Sequence, residues 1–135
     1  MKKGYRQLVD EAMAEIETLA TADAIARHAA GNAILIDLRE SGELRREGRI
    51  PGAVHVPRGM LEFWIDPESP YFKPALAGPV PFILFCGAGW RSALAARALQ
   101  DMGIDQVSHI GGGFDAWRAA GGPVEHVESA QRSAK

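Results

Sequence analysis

One cysteine stands in the whole chain, so no internal disulfide can form and the fold does not depend on oxidation. A reducing compartment suits such a chain, and a cytoplasmic protein is the expectation. Cationic excess is equally lacking. Fifteen Lys and Arg against seventeen Asp and Glu leave a formal charge of -2, with no basic field to neutralise a run of phosphates or hold an anionic membrane. Neither nucleic acid nor membrane is expected as a partner. The opening Met1-Lys2-Lys3 is followed by Arg6, Asp10, Glu11, Glu15 and Glu17 rather than by the apolar run of a secretory signal. The longest uncharged stretch, Pro74 to Trp90, is interrupted by Pro79, Pro81, Gly78, Gly87 and Gly89 and cannot form a membrane helix. The histidines, His28, His55, His109 and His126, share no ligand spacing with Cys86 or one another, so no metal site is expected and no role is assigned to them.

What remains is a chain of 135 residues, 47% hydrophobic, which suits one compact domain with a single packed interior. Fifteen Gly and eight Pro point to many sharp turns between short elements. Tyr5, Leu8, Val9, Ala12, Met13 and Ile16 recur at three- and four-residue spacing, which predicts an amphipathic helix from Tyr5 to about Leu19, packed inward through Leu8, Val9, Met13 and Ile16. A second helix is expected from Thr21, whose hydroxyl would cap it, to Gly31, with Ile25 and Ala26 facing inward. Ala33 to Leu38 is apolar without alternation, as in a strand covered on both faces. Further strands are predicted at Ala53–Val56, Pro81–Phe85 and Gln106–Ile110, and helices at Ser41–Glu47, Gly59–Trp64, Ser92–Met102 and Phe114–Ala120. Strands alternating with helices imply an α/β layer structure on a mainly parallel sheet. The division expected is a helix over residues 1–20, a domain over 21–127 and a flexible tail over 128–135.

The informative segment is Phe85-Cys86-Gly87-Ala88-Gly89-Trp90-Arg91-Ser92, placed between a buried strand and an alanine-rich helix. A tight loop with Gly87 and Gly89 can turn several N–H groups toward one point, and a helix starting near Ser92 adds the positive end of its dipole. Cys86 sits at the rim of that anion cradle and Arg91 at its far side, so amides, dipole and guanidinium together favour the thiolate. A cysteine nucleophile facing an anion pocket is the chemistry implied. Asp37 and Arg39, at a strand end, are either a supporting pair near this loop or an ordinary ion pair.

The segment Cys86, Gly89, Arg91, Ser92 matches Cys-x-x-Gly-x-Arg-Ser, and here the sequence resembles the rhodanese (sulfurtransferase) domain family. Asp37-Leu38-Arg39-Glu40, Gly48-Arg49-Ile50-Pro51-Gly52-Ala53 and Gly111-Gly112-Gly113-Phe114-Asp115-Ala116-Trp117 extend the resemblance over about Thr21 to Val124. Arg49 stands where many members have His, and Trp90 fills a variable loop position. The resemblance implies a rhodanese-like three-layer fold with about five strands. It also implies a persulfide on Cys86 cradled by the amides of Gly87, Ala88, Gly89, Trp90 and Arg91, with Arg91 holding the sulfonate of thiosulfate. No cofactor is required, and the acceptor would be a thiol or cyanide; the alternative is a sulfur-carrying or regulatory binding module with little turnover, whose acceptor is a protein. Cysteine phosphatases and arsenate reductases also join Cys, anion loop and Arg, but resemble Cys-x5-Arg, one residue longer than the spacing here.

Overall fold

The computed structural model describes residues 1–126. Its helices are α1 (Tyr5–Glu15), α2 (Thr21–Ala30), α3 (Ser41–Glu47), α4 (Leu61–Ile65), α5 (Trp90–Asp101) and α6 (Gly113–Ala119). Its strands are β1 (Glu17–Leu19), β2 (Ile34–Asp37), β3 (Val54–His55), β4 (Phe82–Phe85) and β5 (Val107–Ile110). All pairings in the five-stranded sheet are parallel, in the order β1-β5-β4-β2-β3.

Neighbouring residues of the central strands supply opposite faces. Ile36 and Leu84 pack with Val9, Ala12, Ile16, Leu61, Ala93, Ala96 and Leu99, so α1, α4 and α5 cover one face. Leu35, Ile83 and Phe85 pack with Ala24, Phe114 and Trp117, so α2 and α6 cover the other. This two-sided burial is why β2 and β4 read as unbroken apolar runs. Because β4 and β5 are adjacent and parallel, their C-terminal ends bring Cys86 and His109 to the same edge of the sheet.

Several details correct the sequence reading. The first helix stops at Glu15, and Glu17–Leu19 is instead an edge strand on β5. Leu19 continues the helical spacing of Ile16, while Glu17 and Thr18 are exposed, so no apolar run marks the strand. Val9, Ala12 and Ile16 form the inward face of α1, whereas Leu8 and Met13 are largely exposed. Ala20 is the N-cap of α2, and the Thr21 hydroxyl donates to the Gly111 carbonyl at 3.4 Å rather than capping the helix. Ala24 and partly Ile25 face inward, with Ala26 exposed. Helix α5 starts at Trp90, two residues earlier than predicted, which places Trp90 and Arg91 on its first turn. The tail expected over 128–135 lies outside the described residues.

Candidate active site

β4 runs directly into Cys86, whose side chain is buried. The chain then turns through Gly87, Ala88 and Gly89 into α5. Gly89 has φ +122°, a region that residues with a Cβ rarely adopt, and this bend carries its N–H back to Cys86 Sγ at 3.2 Å. No side chain caps α5. Its first N–H groups, those of Trp90, Arg91 and Ser92, have no partner within the helix and supply the positive end of its dipole beside the sulfur.

Two hydrogen bonds from α6 fix the loop from the other side. Phe114 N–H donates to the Cys86 carbonyl at 2.8 Å and Asp115 N–H to the Gly87 carbonyl at 3.1 Å. In a trans peptide the N–H points opposite the C=O, so these bonds turn the N–H groups of Gly87 and Ala88 away from α6. The Gly-Gly-Gly segment before α6 is thus part of the loop's support.

Arg91 lies over the loop: a Cβ placed on Gly87 would meet its Nη2 at 3.3 Å. Its guanidinium is not free, because Nη1 and Nη2 donate to the two carboxylate oxygens of Glu43 at 2.7 and 3.0 Å. Glu43 also accepts the Glu40 N–H in the capping box of α3. Arg91 is raised above its ordinary value, first by the Glu43 hydrogen bonds and further by the nearby Cys86. Sequence reading missed Glu43, 48 positions upstream of Arg91, since only the fold brings α3 over the loop.

Beneath the sulfur, Cys86 S–H lies 3.7 Å from Ser92 Oγ, and Ser92 Oγ lies 2.9 Å from His109 Nδ1. His109 Nε2 continues to Thr18 Oγ1 at 3.0 Å. Sequence alone assigns His109 no role. A signal was present, because Ser108 and His109 are adjacent polar residues in a strand buried along its whole length.

A short loop around a buried cysteine, with the Gly89 N–H on the sulfur and an arginine at its rim, sits at the end of a parallel strand. Residues 20–120, well over half of the chain, match the rhodanese-like domain family. The chain belongs to that family. Among solved structures this rhodanese-like domain is similar to a protein of unknown function from Rhodopseudomonas palustris, named as a possible tyrosine phosphatase. That likeness has 52% identity and a TM-score of 0.88, covering 93% of this chain and 96% of that one. A rhodanese-related protein from Thermoplasma volcanium superposes with a TM-score of 0.65 at 24% identity, covering 81% of this chain and 97% of that one. A thiosulfate sulfurtransferase from Pseudomonas aeruginosa gives a TM-score of 0.68 at 23% identity, covering 83% of this chain and 20% of that longer one. The last two likenesses speak to the fold.

Within this rhodanese-like domain the Asp37–Arg39 pair is an almost fully buried ion pair. Arg39 Nε and Nη2 donate to the two Asp37 oxygens at 3.0 and 2.9 Å, and Nη2 also donates to the Gly48 carbonyl. The Arg39 guanidinium lies 4.0 Å above the Phe114 ring. No hydrogen bond joins the pair to Cys86. It braces α6, whose first turn grips the loop. Trp90 is more than half exposed, and its ring lies 5.0 Å from that of Tyr5 on α1. Ala88 is exposed and Gly87 half-buried, while Gly89 and Ser92 are buried. No helix among the described residues is long and apolar enough to cross a membrane.

The Arg91–Glu43 pair predicts a pH signature. Arg91, with help from the Glu40 N–H, holds the Glu43 carboxyl down from 4.5 to about 2. A carboxyl lowered in the folded state contributes stability above its unfolded value, and that contribution disappears as pH falls from 4.5 toward 2. Glu43→Gln should therefore lower the Tm near neutral pH, and the gap to wild type should shrink below about pH 4.5 and close near pH 2. Solvent around the partly exposed pair limits the effect to about 1 kcal/mol. A Tm gap independent of pH would show that Glu43 does not act as a charged partner of Arg91.

Proposed function

We propose that this rhodanese-like domain is a sulfurtransferase that carries a sulfur atom as a persulfide on Cys86. The observation that carries this reading is the Gly89 N–H at 3.2 Å from Cys86 Sγ, in a loop of only four residues between Cys86 and Arg91. In the first half-reaction the Cys86 thiolate attacks the outer sulfur of thiosulfate, or of a donor of similar chemistry. The S–S bond of the donor breaks, sulfite departs with its electron pair, and Cys86 becomes a persulfide anion. Loop amides and Arg91 stabilise the charge that moves. In the second half-reaction a thiolate or cyanide attacks the terminal sulfur and restores the Cys86 thiolate. Electrons balance without a redox cofactor. With no second cysteine in the chain, the persulfide cannot collapse to an internal disulfide and waits for an external acceptor, a small thiol or a protein. Such a waiting persulfide suits the reducing cytoplasm.

The name of the Rhodopseudomonas relative points to phosphoester hydrolysis. The loop here argues for sulfur, because a smaller ring of amides fits one sulfur atom better than a tetrahedral phosphate. Incubation with thiosulfate should add one sulfur atom to the intact mass, and cyanide should then remove it as thiocyanate. Hydrolysis of aryl phosphates should stay at background. Phosphatase turnover without a mass increase would overturn the proposal. Because Arg91 is engaged by Glu43, thiosulfate must share or displace that contact, so Glu43→Gln should reach half-saturation at a lower thiosulfate concentration.

A further inference from the structure

We propose that His109, acting through Ser92, takes up the thiol proton of Cys86 and so sets the pH at which Cys86 becomes a nucleophile. The inference rests on Cys86 being the reacting group but not on the identity of the sulfur donor. It makes His109 a positioning residue for the proton rather than a group that touches substrate.

The contacts form an unbroken line from sulfur to surface: Cys86 Sγ to Ser92 Oγ at 3.7 Å, Ser92 Oγ to His109 Nδ1 at 2.9 Å, and His109 Nε2 to Thr18 Oγ1 at 3.0 Å. Ser92 and His109 are buried, while Thr18 is exposed on the edge strand. Both ring nitrogens face hydroxyl oxygens, which can accept as well as donate, so neutral ring and imidazolium are equally well bonded. In the resting arrangement Cys86 S–H points to Ser92 Oγ, Ser92 O–H to His109 Nδ1 at 2.9 Å in preference to the Gly89 carbonyl 3.2 Å from the same oxygen, and His109 Nε2–H to Thr18 Oγ1. Transfer moves one proton along each of the first two bonds. The S–H bond breaks and leaves its electron pair on sulfur, Ser92 gains that proton and gives its own to Nδ1, and Ser92 O–H then points at the thiolate. Gly89 N–H already donates to the same sulfur. Nothing but a proton has moved, and every polar group keeps a partner.

The surroundings favour a ring that accepts a proton only in exchange for the thiolate. From β1 the ring meets Thr18, from α5 Ser92, and along the sheet Leu84 of β4 is its paired neighbour. A cleft of about 220 Å³ beside it is lined by Val9 and Met13 of α1 and by Ala88, Gly89 and Trp90. These neighbours are uncharged. Burial alone accounts for the downward shift of His109 and favours the neutral ring. The titratable group on its line of hydrogen bonds is Cys86, and beyond it stands Arg91, paired with Glu43 of α3. His109 lines this cleft together with Ala88, Gly89 and Trp90 of the Cys86 loop and α5.

The test is the pH profile of Cys86 alkylation by iodoacetamide, which needs no sulfur donor. Ser92→Ala and His109→Asn should each move the profile to higher pH by about one unit, slowing alkylation roughly tenfold on its acid side. The asparagine side-chain oxygen can still accept from Ser92 O–H, which preserves the buried contact, but it cannot hold the extra proton. The double variant should shift no further than the larger single shift, because the two groups act in series. Thr18→Val, at the exposed end, should give a smaller shift of the same sign. Folded variants with the wild-type profile, or shifts that add in the double variant, would overturn the relay. Profile shifts in a protein that takes no sulfur from thiosulfate would keep the relay and overturn the donor reading.

Discussion

Cys86→Ser should leave a folded protein without sulfur transfer. The serine hydroxyl is close in size to the thiol and meets the same partners, the Gly89 N–H and Ser92 Oγ. The buried pocket is therefore neither emptied nor overfilled, and Tm should stay close to wild type. Chemistry, in contrast, has no substitute. A serine hydroxyl is un-ionised at neutral pH, and its oxygen cannot form the sulfur–sulfur bond on which the cycle rests. No second cysteine is available to take over. Loss of the nucleophile should lower thiocyanate formation from thiosulfate and cyanide by roughly 10⁴-fold or more, and the mass increase after thiosulfate should vanish. In the wild type, sulfite must depart before the acceptor attacks, so double-reciprocal plots should be parallel. Intersecting lines, or a folded Cys86→Ser protein that still turns over, would exclude a persulfide on this residue.

The legible parts of this molecule are those where local pattern and tertiary demand coincide. β2 and β4 must be apolar on both sides because helices cover both faces of the sheet, and Ile34–Asp37 and Phe82–Phe85 display that in four residues each. The Cys86 loop is legible for a related reason. A strand that must turn at once into a helix, leaving N–H groups inward, needs glycine at Gly89, and the cysteine and arginine stand beside it. What escapes is whatever depends on distant partners. β1 is three residues long, exposed at Glu17 and Thr18, and exists because β5 offers an edge to pair with. Leu8 and Met13 share a helical stripe with Val9 and Ala12, yet α5 covers only the latter pair, since a stripe shows that a face exists without showing its width. Glu43 and His109 are ordinary residues in sequence and acquire meaning only when α3 brings Glu43 to Arg91 and β5 brings His109 to Ser92.

Gly113→Ala should damage both stability and reactivity, because this glycine joins α6 to the loop. Its backbone has φ +60°, and a Cβ there would lie 2.5 Å from the Cys86 carbonyl oxygen and 2.7 Å from that of Gly87. Those oxygens belong to backbone already fixed by Phe114 and Asp115 N–H, so no flexible side chain can yield. The left-handed conformation costs a residue bearing a Cβ roughly 1–2 kcal/mol, and overpacking of a tight contact adds about 1–3 kcal/mol. A Tm lower by roughly 10 °C is the expected result for a domain of this size. The second effect is on the sulfur. Relief of the overlap requires the Cys86–Gly87 peptide to move away from α6, and its N–H groups then leave the orientation that the two hydrogen bonds impose. Alkylation of Cys86 and sulfur uptake from thiosulfate should therefore fall even at temperatures where the variant is fully folded. Gly121→Ala is the control, since Gly121 also has positive φ, at +82°, but a Cβ on it would meet nothing within 4 Å. It should lose stability through backbone strain alone and keep its Cys86 reactivity. If Gly113→Ala matches that control in both Tm and alkylation rate, the grip of α6 on the Cys86 loop is not what orients its amides.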